Sequence, residues 1–243
     1  MQLKGQVALV TGGAKRVGRA IALALAARGC RVAIPYRSSD RQAETTLQAI
    51  QRVSGGMRLQ CDQRDPEQVQ AAVNAVKTRY RRIDILINNA SSWYPTRLPK
   101  VSESQWDDLL STNLLGPWRF AQATARVMQR QKRGKIINIA DVSVLSPWPE
   151  YLPYCAAKGA LVTLSEGLAK VLAPHIQVNA IAPGPILFPK DLSSAGRRQA
   201  IQKTLLKRCG DPKDIAQTVL FLLEGTDFIT GALIPVDGGR RFA

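Results

Sequence analysis

Short runs of apolar residues recur along the chain, separated by segments whose apolar positions return every three or four residues. The runs are 7–10 "VALV", 31–35 "RVAIP", 57–60 "MRLQ", 83–87 "IDILI", 135–139 "KIINI", 177–181 "QVNAI" and 233–236 "LIPV". Strands that are apolar on both faces belong in a parallel sheet with helices on each side. Helical periodicity fills the gaps near 17–28, 40–53, 66–80, 103–131, 154–173 and 212–224. The alternation predicts an α/β fold: a doubly wound parallel sheet of about seven strands flanked by helices.

Boundary residues agree with these elements. Asp65-Pro66 and Asp211-Pro212 each pair an N-capping carboxylate with proline at the first helical position. Ser102 and Gln105 have the spacing of a capping box. The long irregular stretch is 183–211, whose second half can form a short helix and whose length suits a lid over a binding site. No repeat or linker divides the chain. We expect a single domain over 1–243, with a nucleotide-binding half near 1–90 and a catalytic half with a substrate loop near 91–243.

The 243 residues suffice for one large core. No apolar run reaches membrane-spanning length, and "MQLKGQVALVTGG" reads as a first strand rather than a secretory leader. Cys30, Cys61, Cys155 and Cys209 are far apart and His175 is the only histidine, which suits reduced thiols in a cytoplasmic protein and no metal site. The net charge of +16 favours an anionic partner. Nucleic acid is disfavoured, because the arginines are scattered and no basic tail or aromatic-interleaved basic stretch is present. An anionic cofactor accounts for part of the charge.

The segment "TGGAKRVG" follows the first strand and opens a helix, so Gly12 and Gly18 would let the backbone approach a pyrophosphate. A tight strand-to-helix turn would use the same glycines. The second strand ends in Tyr36, Arg37, Ser38 and Ser39, where an acidic residue would select the ribose 2′-hydroxyl of NAD. A guanidinium with hydroxyls suits a 2′-phosphate, and therefore NADPH. Asp62 is placed to accept from an adenine amino group or to begin a helix.

Tyr154 and Lys158 stand four residues apart, on one helical face. A nearby ammonium would lower the tyrosine pKa and make Tyr154 a general acid. Such a pair also occurs on ordinary surfaces. Its company is more specific. "TGGAKRVG", "NNA" at Asn88–Ala90, Asn113 in "STNLLG", Tyr154/Lys158 and Pro183-Gly184 follow one another as in the short-chain dehydrogenase/reductases, which the chain resembles over essentially its whole length, with their Rossmann-like fold. The resemblance implies that Asn113 organises a proton-relay water, Lys158 holds the nicotinamide ribose and Tyr154 delivers the proton. It also implies cofactor contacts from Lys15, Arg16, Val17, Asn89, Ala90, Ser91, Pro183, Gly184 and Ile186, and a homotetramer.

Three positions depart from the common pattern of that family. Arg16 stands where a glycine is usual, "NNASSWYP" replaces the glycine after "NNA", and Asp141 occupies the place of a serine thirteen residues before Tyr154. A carboxylate cannot donate to a substrate carbonyl unless protonated, but it suits a ring bearing N–H groups. Trp93 can stack on a flat ring, or simply serve as a core or lid aromatic. Together these residues resemble the pteridine reductase branch, including dihydrofolate- and dihydromonapterin-reducing relatives. That resemblance implies a pterin bounded by Arg16, Ser91, Trp93, Asp141, Tyr154, Pro185 and Leu187. Two alternatives stand beside it: a carbonyl reductase such as a 3-oxoacyl-carrier-protein reductase, and a non-catalytic nucleotide-sensing or nucleic-acid-binding module.

Overall fold

The computed structural model describes residues 1–188 and 192–243. Seven parallel strands form one sheet in the order β3-β2-β1-β4-β5-β6-β7. They are β1 (Val7–Val10), β2 (Arg31–Tyr36), β3 (Gly56–Gln60), β4 (Ile85–Asn88), β5 (Gly134–Ile139), β6 (Ile176–Pro183) and β7 (Leu233–Val236). Every predicted run is a strand, with ends shifted by at most two residues. The helices are α1 (Arg16–Ala27), α2 (Asp40–Gln51), α3 (Pro66–Tyr80), α4 (Glu103–Leu110), α5 (Gly116–Gln131), α6 (Leu152–Leu172), α7 (Ser194–Gln202) and α8 (Pro212–Leu220). Asp65, Ser102 and Asp211 accept first-turn N–H groups at the N-caps of α3, α4 and α8. The short helix expected late in 183–211 is α7.

Alternate residues of each inner strand enter opposite layers, and both layers are dry. Val10, Ile34, Ile85 and Ile87 pack with Ile21, Leu25 and Val219 on one face. Leu9, Leu86, Ile136 and Val178 pack with Val73, Phe120 and Met128 on the other. This two-sided burial is why the strands are apolar runs instead of alternating patterns. The lysine inside "KIINI" is the exception. Lys135 is buried, and its Nζ donates to the carbonyls of Leu222, Leu223 and Thr226 and pairs with Asp227 at 2.7 Å.

The helical stretch expected over 103–131 is not continuous. Residues Ser111–Leu115 form a wide π-helical turn between α4 and α5. A second such turn, Phe221–Gly225, ends α8. Periodicity cannot separate α from π geometry over five residues, because the extra residue per turn barely changes which face a side chain occupies. From the first of these turns the Asn113 side chain donates back to the Leu109 carbonyl in α4 at 2.9 Å. Trp106, Leu115 and Trp118, on this helical stretch, remain more than a third exposed.

The doubly wound order puts β1 and β4 side by side at the centre, where successive connections leave in opposite directions. In such sheets ligands bind beyond the carboxyl ends of the strands at that reversal. Phe120 is the largest fully buried side chain of the layer carrying α5. Phe120→Ala is expected to cost about 3–5 kcal/mol through lost burial and a residual cavity, read as a lower urea midpoint with an unchanged slope.

Candidate active site

Five strand ends converge on the candidate site. The turn after β1 carries Gly12 to Gly18. Arg37 and Ser38 follow β2, Asn89 to Ser91 follow β4, Asp141 lies just past β5, and Gly184 to Leu187 follow β6. The sheet therefore brings together residues more than 170 positions apart.

At the β1 turn, Gly12 has φ +63°, which a glycine adopts without strain. A Cβ on Gly12 would lie 2.9 Å from the Cα of Ala90, and one on Gly18 would lie 2.3 Å from the Gly12 carbonyl. Asn89 holds the turn from β4, its Nδ2 donating to the carbonyls of Thr11 and Gly12. No side chain caps α1 and no acid lies in its first turn. Its first N–H groups face outward with the helix dipole behind them, and Val17 and Gly18 lie in that turn. Lys15 and Arg37 are exposed and make no hydrogen bond or ion pair through their side chains among the described residues. Uncapped donors, close glycines and two unpaired cations fit a dinucleotide pyrophosphate and an added phosphate.

Two residues expected at the nucleotide end are engaged within the protein. Asp62 is engaged by its neighbour: Arg64 grips the carboxylate, with Nη2 at 2.7 Å from Oδ2, and also pairs with Asp108 at 2.8 Å. An adenine amino group would have to share Asp62 with that guanidinium. Tyr36 is buried and its hydroxyl donates to Asp40, so it forms a wall of the site rather than a free hydroxyl beside Arg37.

Arg16 has φ +54°, a left-handed conformation that favours glycine. Its Nη2 donates to the Leu187 carbonyl at 2.7 Å. The cation in the glycine turn thus spans the cleft and ties the phosphate side to the loop after β6. Pro185 and buried Ile186 lead into that loop, where Cys209 Sγ donates to both their carbonyls. A Cβ on Gly184 would lie 2.7 Å from the Cα of Asp237, so the chain leaves β6 pressed against the end of β7. A cavity of about 630 Å³ lies between α8 and β7 and holds none of Asp141, Tyr154 and Lys158.

The proton-handling groups form a compact set. Tyr154 donates from Oη to Asp141 Oδ2 at 2.9 Å, and Asp141 Oδ1 accepts from the Ser143 backbone N–H at 2.8 Å. Lys158 Nζ lies 5.8 Å from the Tyr154 ring centroid and donates to the Ile139 carbonyl at 2.7 Å. Tyr154 and Lys158 are almost wholly buried. Burial raises the Asp141 pKa and lowers that of Lys158 to about 8.

The tyrosine shift has the opposite sign to the one expected from Lys158 alone. Burial and then the Asp141 carboxylate push the Tyr154 pKa well above its ordinary value. A phenolate here would be desolvated and would stand beside a second anion, and a lysine bonded to a backbone carbonyl does not offset both effects.

The Asn113 side chain is engaged within the protein. Its Nδ2 donates to the carbonyls of Leu109 and Ser92, and its Oδ1 accepts from the Ser91 hydroxyl at 2.6 Å. The amide is therefore spent locally, fixing the 91–92 loop against the π turn.

Trp93 lies 4.7 Å from Tyr151, ring centre to ring centre and nearly parallel, and Tyr151 meets Trp148 edge-on at 5.9 Å. One face of Trp93 is thus covered by protein. No local pattern signals this pairing, because Tyr151 precedes α6 and is 58 residues from Trp93. Ser143 takes part through its backbone N–H, in the turn that an aspartate two residues earlier opens.

Residues 12–241 match a family model described as enoyl-(acyl carrier protein) reductase. The 3-oxoacyl-(acyl-carrier-protein) reductase FabG of Staphylococcus aureus (strain N315) is 35% identical over 237 residues, 96% of each chain. That of Vibrio cholerae is 33% identical over 98% of each. Among solved structures, the NADPH-dependent 3-quinuclidinone reductase of Rhodotorula rubra superposes with TM-score 0.94 at 29% identity, covering 100% of this chain and 93% of that one. A blue fluorescent protein from a metagenomic library, solved with NADPH, gives 0.90 at 31% and 99% of each. With its seven-stranded sheet, its glycine turn and its Tyr154/Lys158 pair, the chain belongs to the short-chain dehydrogenase/reductase family.

Proposed function

We propose that this oxidoreductase reduces the C=N bond of a pterin, taking a dihydropterin or dihydrofolate to its tetrahydro form with NADPH. The observation that carries the proposal is the Asp141 carboxylate, 2.9 Å from the Tyr154 hydroxyl. Reduction of a ketone develops negative charge on oxygen at the point where Tyr154 donates its proton. A carboxylate one hydrogen bond away opposes that charge, whereas a ring presenting N–H groups is attracted to it. The outward face of Trp93 offers a flat apolar wall for such a ring, and Arg16 a cation at its polar edge.

NADPH, when bound, supplies the hydride. The first turn of α1 with Lys15 would hold its pyrophosphate, and Arg37 with Ser38 its 2′-phosphate. Ala90, Ser91, Pro183, Gly184 and Ile186 would line the nicotinamide end, with Lys158 on the ribose. Tyr154 then protonates the ring nitrogen next to the reduced carbon. Asp141, which accepts from the Tyr154 hydroxyl, orients the phenol and as a carboxylate attracts the ring N–H groups. Asn113 keeps the 91–92 loop in place.

The named relatives favour a second reading, reduction of a β-ketoacyl thioester, more than they favour the pterin. Activity decides between them. NADPH consumption is expected with dihydrobiopterin, dihydromonapterin or dihydrofolate. Turnover of a β-ketoacyl thioester with none of any pterin would overturn the proposal. Asp141→Ser should lower pterin kcat/KM by about 100-fold or more while NADPH affinity changes by less than about threefold.

Lys158 gives a prediction with a definite sign. Its pKa is depressed to about 8, so the unfolded chain keeps this proton to higher pH than the folded one. The group's cost to stability is full below pH 8 and fades as pH climbs toward the ordinary lysine range. Lys158→Met is therefore expected to be nearly inactive, yet more stable than the parent at pH 7 by on the order of 2 kcal/mol. That advantage should shrink in melts repeated near pH 10.

A further inference from the structure

A charge cluster outside the catalytic set stands where β2 turns into α2. Arg58, on β3 and opposite Ile34 in the sheet, reaches over the strand end. Its Nε donates to Glu44 Oε2 at 2.8 Å, and its Nη1 donates to Asp40 Oδ1 and to the Tyr36 hydroxyl, each at 2.5 Å. The Tyr36 hydroxyl donates in turn to Asp40. One guanidinium thus sits between two carboxylates, with the Tyr36 ring as its platform at 5.7 Å.

The neighbours give this arrangement its meaning. Tyr36 is followed at once by Arg37 and Ser38, exposed residues suited to a 2′-phosphate. Asp40 begins α2 only two residues further on. Asp40 is largely solvent-exposed, at 67% of its side-chain area, and Glu44 partly so, at 43%, so their ion pairs with Arg58 add little to folding. Their effect on an approaching phosphate is another matter. Unpaired, two anions in the first turns of α2 would oppose the cation that selects the phosphorylated ribose.

We infer that Arg58 is a specificity-determining residue. By pairing with Asp40 and Glu44 it halves their combined negative charge at the end of β2, and so favours a 2′-phosphate and the preference for NADP(H) over NAD(H). The inference rests on the reading of this turn as a dinucleotide site. It adds a residue from the neighbouring strand that meets the phosphate-selecting strand end through Tyr36 and two acids.

Calorimetric titration of the whole protein with NADP⁺ and with NAD⁺ tests it without turnover. If neither dinucleotide binds the parent, the underlying site is wrong. With binding established, Arg58→Gln should weaken NADP⁺ by about tenfold and leave NAD⁺ within about twofold. Adding Asp40→Asn and Glu44→Gln to that variant should restore NADP⁺ affinity to near the parental value. Equal losses for both dinucleotides, or unchanged NADP⁺ affinity, would overturn the inference. So would a triple variant as weak as Arg58→Gln, which would make Arg58 a direct phosphate ligand. If Arg58→Gln does not fold, the Asp40→Asn/Glu44→Gln double variant still decides. It should bind NADP⁺ about threefold or more tightly than the parent, with NAD⁺ little changed, and anything else refutes neutralisation.

Discussion

The contact on which the candidate chemistry depends is the hydrogen bond from Tyr154 to Asp141, set above a buried Lys158. Three titratable groups share a desolvated space, and each constrains the others. Burial raises the carboxyl pKa and lowers that of the ammonium, and the carboxylate helps keep the phenol protonated. Placing such groups together costs stability. The cost is tolerated because the surrounding backbone is firmly built: Ile139 at the end of β5 receives the lysine, and the Ser143 N–H receives the carboxylate.

The opposite end of the cleft follows another electrostatic rule. Among the described residues, positive charge there has no ion-pair partner where an anion is expected, at Lys15, Arg37 and the uncapped start of α1. Where acids intrude, at Asp40, Glu44 and Asp62, an arginine from a nearby position holds them. Arg16 belongs to both ends. It occupies a left-handed position that a glycine would take more easily, and it spans the cleft to Leu187. A residue placed in the less favourable conformation on a turn between two walls is consistent with a functional role for its side chain.

Much of the fold is legible in the sequence. Strands buried on both faces declare themselves as apolar runs, and "VALV", "KIINI" and "LIPV" each became a strand. Capping residues at Asp65, Ser102 and Asp211 marked true helix starts, because their chemistry is local. The π turn at Ser111–Leu115 was not legible, since its spacing is nearly that of the α-helix around it. The pairing of Trp93 with Tyr151 was not legible either, since nothing in one segment announces a partner 58 residues away.

The sequence alone determined the sheet, its alternation with helices, and the kinds of side chain available at each strand end: glycines, cations, an aspartate in a serine's place, a tyrosine and lysine one turn apart. Those follow from short-range periodicity and residue chemistry. Only the tertiary structure decided how these groups act on one another. It turned the expected acidification of Tyr154 into its reverse, occupied Asn113 with loop contacts, and set Arg58 against Asp40 and Glu44. The physical reason is that pKa and charge pairing depend on distance and burial, and both are set when strands far apart in the chain come to lie side by side.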